Sequence, residues 1–252
     1  MNRGPHGHSK VHCHSRAALK PGTGCCPSGN PINKAVILLS GGLDSSTTLY
    51  YALAQGHDCH CLVFDYGQKH KKEIIQAKAV ARKAGCRCVC VKISLPWKGS
   101  ALLDNKISVP RGRALDAKGI PVTYVPGRNI IFLSFAASYA EAIGAKAIFI
   151  GANAVDYSGY PDCRPEFIRS YQAMLARGLK TSLEGKSIKV VTPLIHLSKA
   201  RIVKLAVKLK VPLHLTWSCY NGGAKPCGAC DSCRLRAQGF AQAKIQDSAL
   251  TH

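Results

Sequence analysis

The sequence predicts an α/β protein: a doubly wound, parallel, five-stranded sheet followed by a small C-terminal segment that binds metal through four cysteines. Three observations carry that expectation. Strand-sized apolar runs alternate with helix-period segments from Lys34 to Leu209, the pattern of parallel strands joined by helical crossovers. The first run ends in Ser40-Gly41-Gly42-Leu43-Asp44-Ser45, a tight turn that opens a helix. Late in the chain, Cys219, Cys227, Cys230 and Cys233 stand at C-x7-C-x2-C-x2-C spacing.

Residues 1–33 contain no acidic residue and are rich in Gly, Pro, Ser, His and Cys. They show no apolar periodicity and read as a disordered basic extension. His6, His8, His12, Cys13, His14, Cys25 and Cys26 could chelate metal there, but without regular spacing. An α/β domain is expected over 34–210, the metal segment over 211–240 and a tail over 241–252. The spacing predicts strands at Lys34–Leu39, Asp58–Phe64, Arg87–Ile93, Lys146–Ile150 and Ile188–Val191. Helices are expected at Asp44–Gln55, Lys71–Ala84, Ile130–Ile143, Phe167–Ala176 and Ser198–Leu209, with Ser198 as an N-cap. Leu95 to Val122 is polar and irregular and reads as a covering loop.

Ligand sites in doubly wound sheets lie outside the C-terminal ends of the strands. Three stretches fall on that edge. The first is Ser40-Gly41-Gly42 with Asp44 and Ser45, where glycines let the backbone aim bare N–H groups at one spot and the helix dipole favours an anion. Hydroxyls of Ser40, Ser45 and Ser46 add donors, so a phosphate or pyrophosphate is the natural guest. No lysine follows Gly42, as a Walker A loop requires, and the three spaced glycines of a dinucleotide fingerprint are missing. An Asp/Ser cap on a glycine turn would explain Ser-Gly-Gly alone; its place directly after a buried strand favours the phosphate loop. The second stretch is Asp65-Tyr66-Gly67-Gln68. The third is Gly151 to Phe167, where Asp156, Tyr157, Tyr160, Asp162 and Glu166 gather at one strand end and suggest a base-sized pocket. Arg128, at a helix start beside this edge, is placed to meet phosphate, whereas Lys199 reads as a solvent-facing lysine.

The four late cysteines suit a tetrahedral ion, since two-residue gaps let thiolates converge while backbone N–H groups point at sulfur. Four sulfurs with no open position describe structural zinc; an iron–sulfur cluster takes the same ligand set. The remaining strand cysteines (Cys59, Cys61, Cys86, Cys88 and Cys90) read as small hydrophobes. An odd total of 13 cysteines and no visible signal peptide argue against a secreted disulfide scaffold and for a reducing cytoplasm. The apolar runs are too short to cross a bilayer, which needs about 20 residues. A formal net charge of +22 can serve RNA, anionic membranes or polyphosphate substrates. The basic residues are scattered, with only Lys69-His70-Lys71-Lys72 dense, so no stable nucleic-acid partner and no membrane partner is expected.

The string Ser40-Gly-Gly-Leu-Asp-Ser45 resembles the PP-loop of N-type ATP pyrophosphatases, which cleave ATP between its α- and β-phosphates and pass AMP to an acceptor oxygen. The wider set joins Asp65-Tyr-Gly-Gln68, Gly151-Ala-Asn153, Asp156 to Phe167, Thr192-Pro-Leu194 and Ser218-Cys-Tyr through Cys227-Gly-Ala-Cys-Asp-Ser-Cys-Arg-Leu-Arg236. With these in colinear order over about 34–240, the chain resembles the QueC family, the 7-cyano-7-deazaguanine synthases of the queuosine pathway. The resemblance implies ATP-dependent conversion of 7-carboxy-7-deazaguanine and ammonia to the nitrile, a ligase forming carbon–nitrogen bonds. It also implies Mg2+ with the nucleotide, one Zn2+ per subunit and a homodimer. It carries the ATP segment onto Leu38, Leu39, Ser40, Gly41, Gly42, Leu43, Asp44, Ser45, Ser46, Thr47 and Thr48, with Ser40, Asp44 and Ser45 nearest the chemistry. The metal ligands become Cys219, Cys227, Cys230 and Cys233; substrate roles for Asp65, Gln68, Arg128, Asp162 and Glu166 rest on placement at the sheet edge. A PP-loop tRNA thiolase with Cys163 as sulfur carrier, and a zinc-ribbon nucleic-acid binder, are the rival readings.

Overall fold

The computed structural model describes residues 33–114, 119–155 and 159–250. The histidines and cysteines of the extension, and Asp156 and Tyr157, lie outside the described residues. Sheet formation begins where the apolar runs begin. β1 (Lys34–Leu38) is central, flanked by β2 (Asp58–Asp65) and β4 (Ala147–Ile150), with β3 (Arg87–Lys92) and β5 (Lys189–Val191) outside them. The order is β3-β2-β1-β4-β5 and every neighbouring pair is parallel. All five expected strands are present, each within one residue of its expected ends.

The inner strands are covered on both faces, which is why they read as unbroken apolar runs rather than alternating ones. Ala35, Ile37, Val63 and Phe149 pack against α1 (Leu43–Ala54) and α2 (Lys72–Lys83). Val36, Leu38, Leu62 and Ile148 pack on the other face against α3 (Arg128–Ile143) and α4 (Pro165–Gly178). The small-hydrophobe expectation holds for Cys59 and Cys61, which are buried, and fails for Cys88 and Cys90, which are exposed. The reason is position: β3 is an edge strand, and Arg87 and Lys92 supply the charges that discourage pairing there.

A further layer follows the sheet. After the short α5 (Lys180–Leu183), Ser198 caps α6 (Lys199–Lys208) by accepting the Arg201 N–H at 3.4 Å. α7 (Asp231–Ala243), which periodicity did not announce, packs on α6 through Ile202, Val203, Ala206, Phe240 and Ala243. Arg236 of α7 is buried, with its Nε and Nη2 donating to Asp247 at 2.6 and 2.9 Å. Asp247 is itself buried, although it belongs to the stretch expected to be a tail. Asp247→Ala leaves that guanidinium with the Ser218 hydroxyl at 3.2 Å and the Phe240 ring. An uncompensated buried charge costs about 3–5 kcal/mol, so the urea midpoint should fall accordingly. An unchanged midpoint would remove this pair from the account of the fold.

Candidate active site

Strand order reverses between β1 and β4, so the loops leaving their C-terminal ends diverge and open a crevice. A cavity of about 280 Å³ occupies it. One wall is the glycine loop. Gly42 is the N-cap of α1 and no side chain caps that end, so its first-turn N–H groups carry the positive helix terminus towards the cavity. Gly41 sits at φ +78°, and a Cβ there would lie 2.5 Å from the Glu73 carbonyl oxygen and 2.6 Å from the Ala77 nitrogen. Its own carbonyl accepts the Trp217 N–H at 2.8 Å. Ser45 Oγ accepts the Ser40 N–H at 3.2 Å and lies 3.0 Å from Ser40 Oγ, which folds the turn tightly. Behind it, a Cβ on Gly151 would come within 3.0 Å of the Asp44–Ser45 peptide. The loops after β1 and β4 therefore touch at their bases.

Not all of the segment expected to bind ATP faces the cavity. Leu38, Leu39, Ser40, Gly42, Leu43, Asp44 and Ser45 line it. Ser46, Thr47 and Thr48 are buried; the Thr47 and Thr48 hydroxyls donate to the Leu43 and Asp44 carbonyls at 2.7 and 2.9 Å. Helical rotation turns them away once α1 has begun.

Lys199 corrects the sequence reading. Its Nζ lies 2.8 and 3.1 Å from the two Asp44 carboxylate oxygens, and its side chain is only 14% exposed. The lysine stem runs over Gly239 of α7, where any Cβ would collide with it. The signal was a residue 155 positions away, so α6 periodicity alone could place the lysine only on a helix start.

The opposite wall is aromatic and cationic. Arg128 opens α3 and its Nη1 donates to Tyr66 Oη at 3.4 Å, with Tyr160 and Tyr220 also lining the space. Asp162 is brought to the same corner in a different role. Its carboxylate accepts the Asn129 N–H at 3.0 Å and so caps α3; burial raises its pKa, opposed by that N–H and by Arg128. Gln68 is buried behind the wall. It accepts the Tyr66 N–H at 2.9 Å and donates to Phe64 O and to Glu73 Oε1 at 3.2 and 3.0 Å. The carboxylate that this side presents to the cavity is therefore Glu73, held by Gln68, with a pKa raised by burial and opposed by Arg128.

Of the five expected substrate residues Arg128 alone lines the cavity, and Asp65 and Glu166 turn to the surface. Asp65 pairs with Lys71, which holds its carboxyl below the usual range. Glu166 is 70% exposed and pairs with Arg169 at 3.4 Å. In both cases a nearby lysine or arginine on the surface captures the carboxylate before it can turn inward.

The chain neighbours of the four late cysteines, Ser218, Tyr220 and Ser232, line the cavity, and all four sulfurs lie within 4.8 Å of one another. Backbone N–H groups of Asn221 and Cys227 point at Cys219 Sγ (3.4 and 3.3 Å), and that of Cys230 points at Cys227 Sγ (3.3 Å). Converging thiols with amide donors to sulfur are the donor set of a tetrahedral, sulfur-ligated ion. Cys230 also caps α7, so the cluster fixes the start of that helix.

The family model described as "Queuosine biosynthesis protein QueC" matches residues 34–244. The chain belongs to the QueC family. It is 54% identical over 219 residues to the QueC relative from Trichormus variabilis, a 7-cyano-7-deazaguanine synthase, covering 85% of this chain and 96% of that protein. The 7-cyano-7-deazaguanine synthase of Acetivibrio thermocellus is 55% identical over 218 residues, covering 86% and 97%. Among solved structures, the NMN synthetase from Francisella tularensis is similar at TM-score 0.45 and 14% identity, covering 86% of this chain and 79% of that one. Every QueC motif quoted from the sequence lies within the matched span.

Proposed function

We propose that the chain converts 7-carboxy-7-deazaguanine and ammonia into 7-cyano-7-deazaguanine at the expense of ATP, within queuosine biosynthesis. The observation that carries this reading is a 54% identity that runs through nearly the whole length of a 7-cyano-7-deazaguanine synthase. The cavity supplies chemistry in keeping with it.

The amides at the start of α1 and the Ser40 and Ser45 hydroxyls hold the departing pyrophosphate. Lys199 spreads the charge that builds on the α-phosphate, and Asp44 keeps its ammonium aimed inward. Asp44, which lines the cavity, is the carboxylate that would hold magnesium brought with the nucleotide, and the ion would neutralise phosphate charge. Arg128 meets the acceptor's carboxylate, between aromatic rings suited to a flat heterocycle. The acceptor carboxylate oxygen attacks the α-phosphorus, and pyrophosphate leaves an acyl adenylate. Ammonia adds to that carbonyl carbon and AMP departs, giving the amide. The amide oxygen attacks the α-phosphorus of a second ATP and pyrophosphate leaves; the adenylated amide then gives up both N–H protons and departs from AMP, which carries off the oxygen, leaving the nitrile. The substrate provides the nucleophile throughout, so the protein's part is positioning and charge stabilisation.

Zinc fits the four cysteines, with the ion shaping the segment rather than activating water. The homodimer and the cytoplasmic setting belong to the same reading, and size-exclusion chromatography with light scattering tests the former. Among the described residues, no helix is long and apolar enough to cross a membrane. Burial pushes the Cys163 thiol up to about 12, so it is protonated at neutral pH. A sulfur carrier needs the opposite, which weighs against the thiolase alternative.

Incubation with ATP, ammonium and 7-carboxy-7-deazaguanine should yield the nitrile and AMP by mass spectrometry; intact ATP would refute the reading. Lys199→Met should lower turnover about 10²–10³-fold, the usual cost of losing one group that stabilises developing charge. Turnover close to wild type would return Lys199 to a merely structural role.

A further inference from the structure

We propose that metal occupancy of the four-cysteine cluster and nucleotide binding at the glycine loop are thermodynamically coupled, with Trp217 as the positioning residue between them. The proposal rests on the glycine loop being the ATP site. It adds that the metal segment sets the affinity of that site rather than only its own stability.

The connection is continuous and short. Trp217 donates its main-chain N–H to Gly41 O at 2.8 Å, so the backbone leading into the first cysteine holds the turn of the nucleotide loop. Its indole Nε1 donates to Cys219 O at 2.9 Å, tying the same residue to a ligand's backbone. The indole packs with Cys219, Cys230 and Cys233 in one buried cluster. Its other side faces Lys72, whose Nζ stands 4.0 Å from the ring centre and donates to the carbonyls of Gly223 and Ala224. Those two residues lie in the loop between Cys219 and Cys227.

That loop is also fixed from beneath. Gly222 adopts φ +60° against His70 with no room for a Cβ. Lys72 opens α2, and α2 presses the Glu73 carbonyl and the Ala77 amide against Gly41. The glycine turn is thus held from two sides, and both supports lead to the segment that the cysteines gather. Trp217, Ser218, Tyr220, Ser232 and Leu235 of that segment line the cavity directly. When the sulfurs lose their common ion, the anchor of Trp217 is released and the donor to Gly41 goes with it. Linkage then requires the reverse effect: nucleotide that orders the loop must tighten the hold on the metal.

The equilibrium share of metal that the holoenzyme holds against 4-(2-pyridylazo)resorcinol reads the coupling. It is measured with and without magnesium-saturated ATP, in the absence of acceptor, with bound ATP counted by equilibrium dialysis. The expected result is a metal affinity raised about fivefold or more, the lower range of coupling between linked sites. Bound ATP with metal affinity unchanged or lowered overturns the coupling and leaves the ATP reading intact; absence of bound ATP overturns both. Trp217→Phe keeps a ring under Lys72 and loses the indole N–H. It should retain its metal, bind ATP more weakly and lose most of the gain in metal affinity. A wild-type gain in that variant would remove Trp217 from its assigned role.

Discussion

Alanine at Gly41 is expected to abolish ATP binding and nitrile formation while leaving the sheet intact by circular dichroism. Two costs act together. A residue with a Cβ at φ +78° pays about 1–2 kcal/mol for the left-handed backbone. The larger cost is steric, because the new methyl would sit 2.5 Å from Glu73 O and 2.6 Å from Ala77 N. Both are backbone atoms of α2, which cannot swing aside as a flexible side chain can. Either α2 shifts or the turn rotates, and rotation misaligns the amides of α1 with the phosphate position. A displacement of about 1 Å in a positioning element costs about a hundredfold in rate. Gly56 is the natural control, since it also has positive φ but meets nothing within 4 Å. Gly56→Ala should lose a little stability and no ATP affinity by calorimetric titration. If Gly41→Ala binds ATP like wild type, the close fit of α2 against the loop has no bearing on function.

The strands and the glycine loop were legible because local pattern decides them. After Lys34, β1 is buried whichever way its residues point, and Ser40-Gly-Gly-Leu-Asp-Ser45 carries its own turn chemistry. The cysteine cluster was legible for the same reason: three of its four residues are close in sequence, and C-x2-C spacing constrains geometry without help from the fold. What the sequence could not disclose is how carboxylates and cations choose partners across the chain. Asp65 and Glu166 stand at the productive edge, yet Lys71 and Arg169 hold them outside the cavity. Glu73 enters because Gln68 orients it, and nothing in Lys71-Lys-Glu-Ile marks that residue out. Lys199 reaches Asp44 only because α7 offers a glycine where its stem passes, a dependence on three separated segments. Asp162 was expected at the substrate, yet it does not line the cavity, and its role as a cap on α3 needed the tertiary contact with Asn129.

Replacing Cys230 with serine is expected to empty the metal site and to lose more stability than any other single change considered. The substitution is chosen because it separates two roles of one residue. Cys230 is the N-cap of α7 and is fully buried among the other thiols. Serine is a preferred N-cap, so the start of α7 gains nothing to complain of locally and any loss must come through the ion. A hydroxyl is a poor substitute for thiolate, and three sulfurs no longer close the tetrahedron. Structural zinc contributes on the order of 10 kcal/mol to folding its segment. That is comparable with the whole 5–15 kcal/mol that keeps a typical protein folded, so the variant should be recovered largely insoluble. Its soluble fraction should carry little metal by plasma mass spectrometry. Cys90→Ser, at an exposed edge-strand thiol, should stay within about 0.5 kcal/mol of wild type. The contrast tests placement rather than cysteine content. A Cys230→Ser protein that melts like wild type with a full equivalent of metal would break the ligand assignment, and the wall that Trp217, Ser218 and Tyr220 build around the cavity would need another cause.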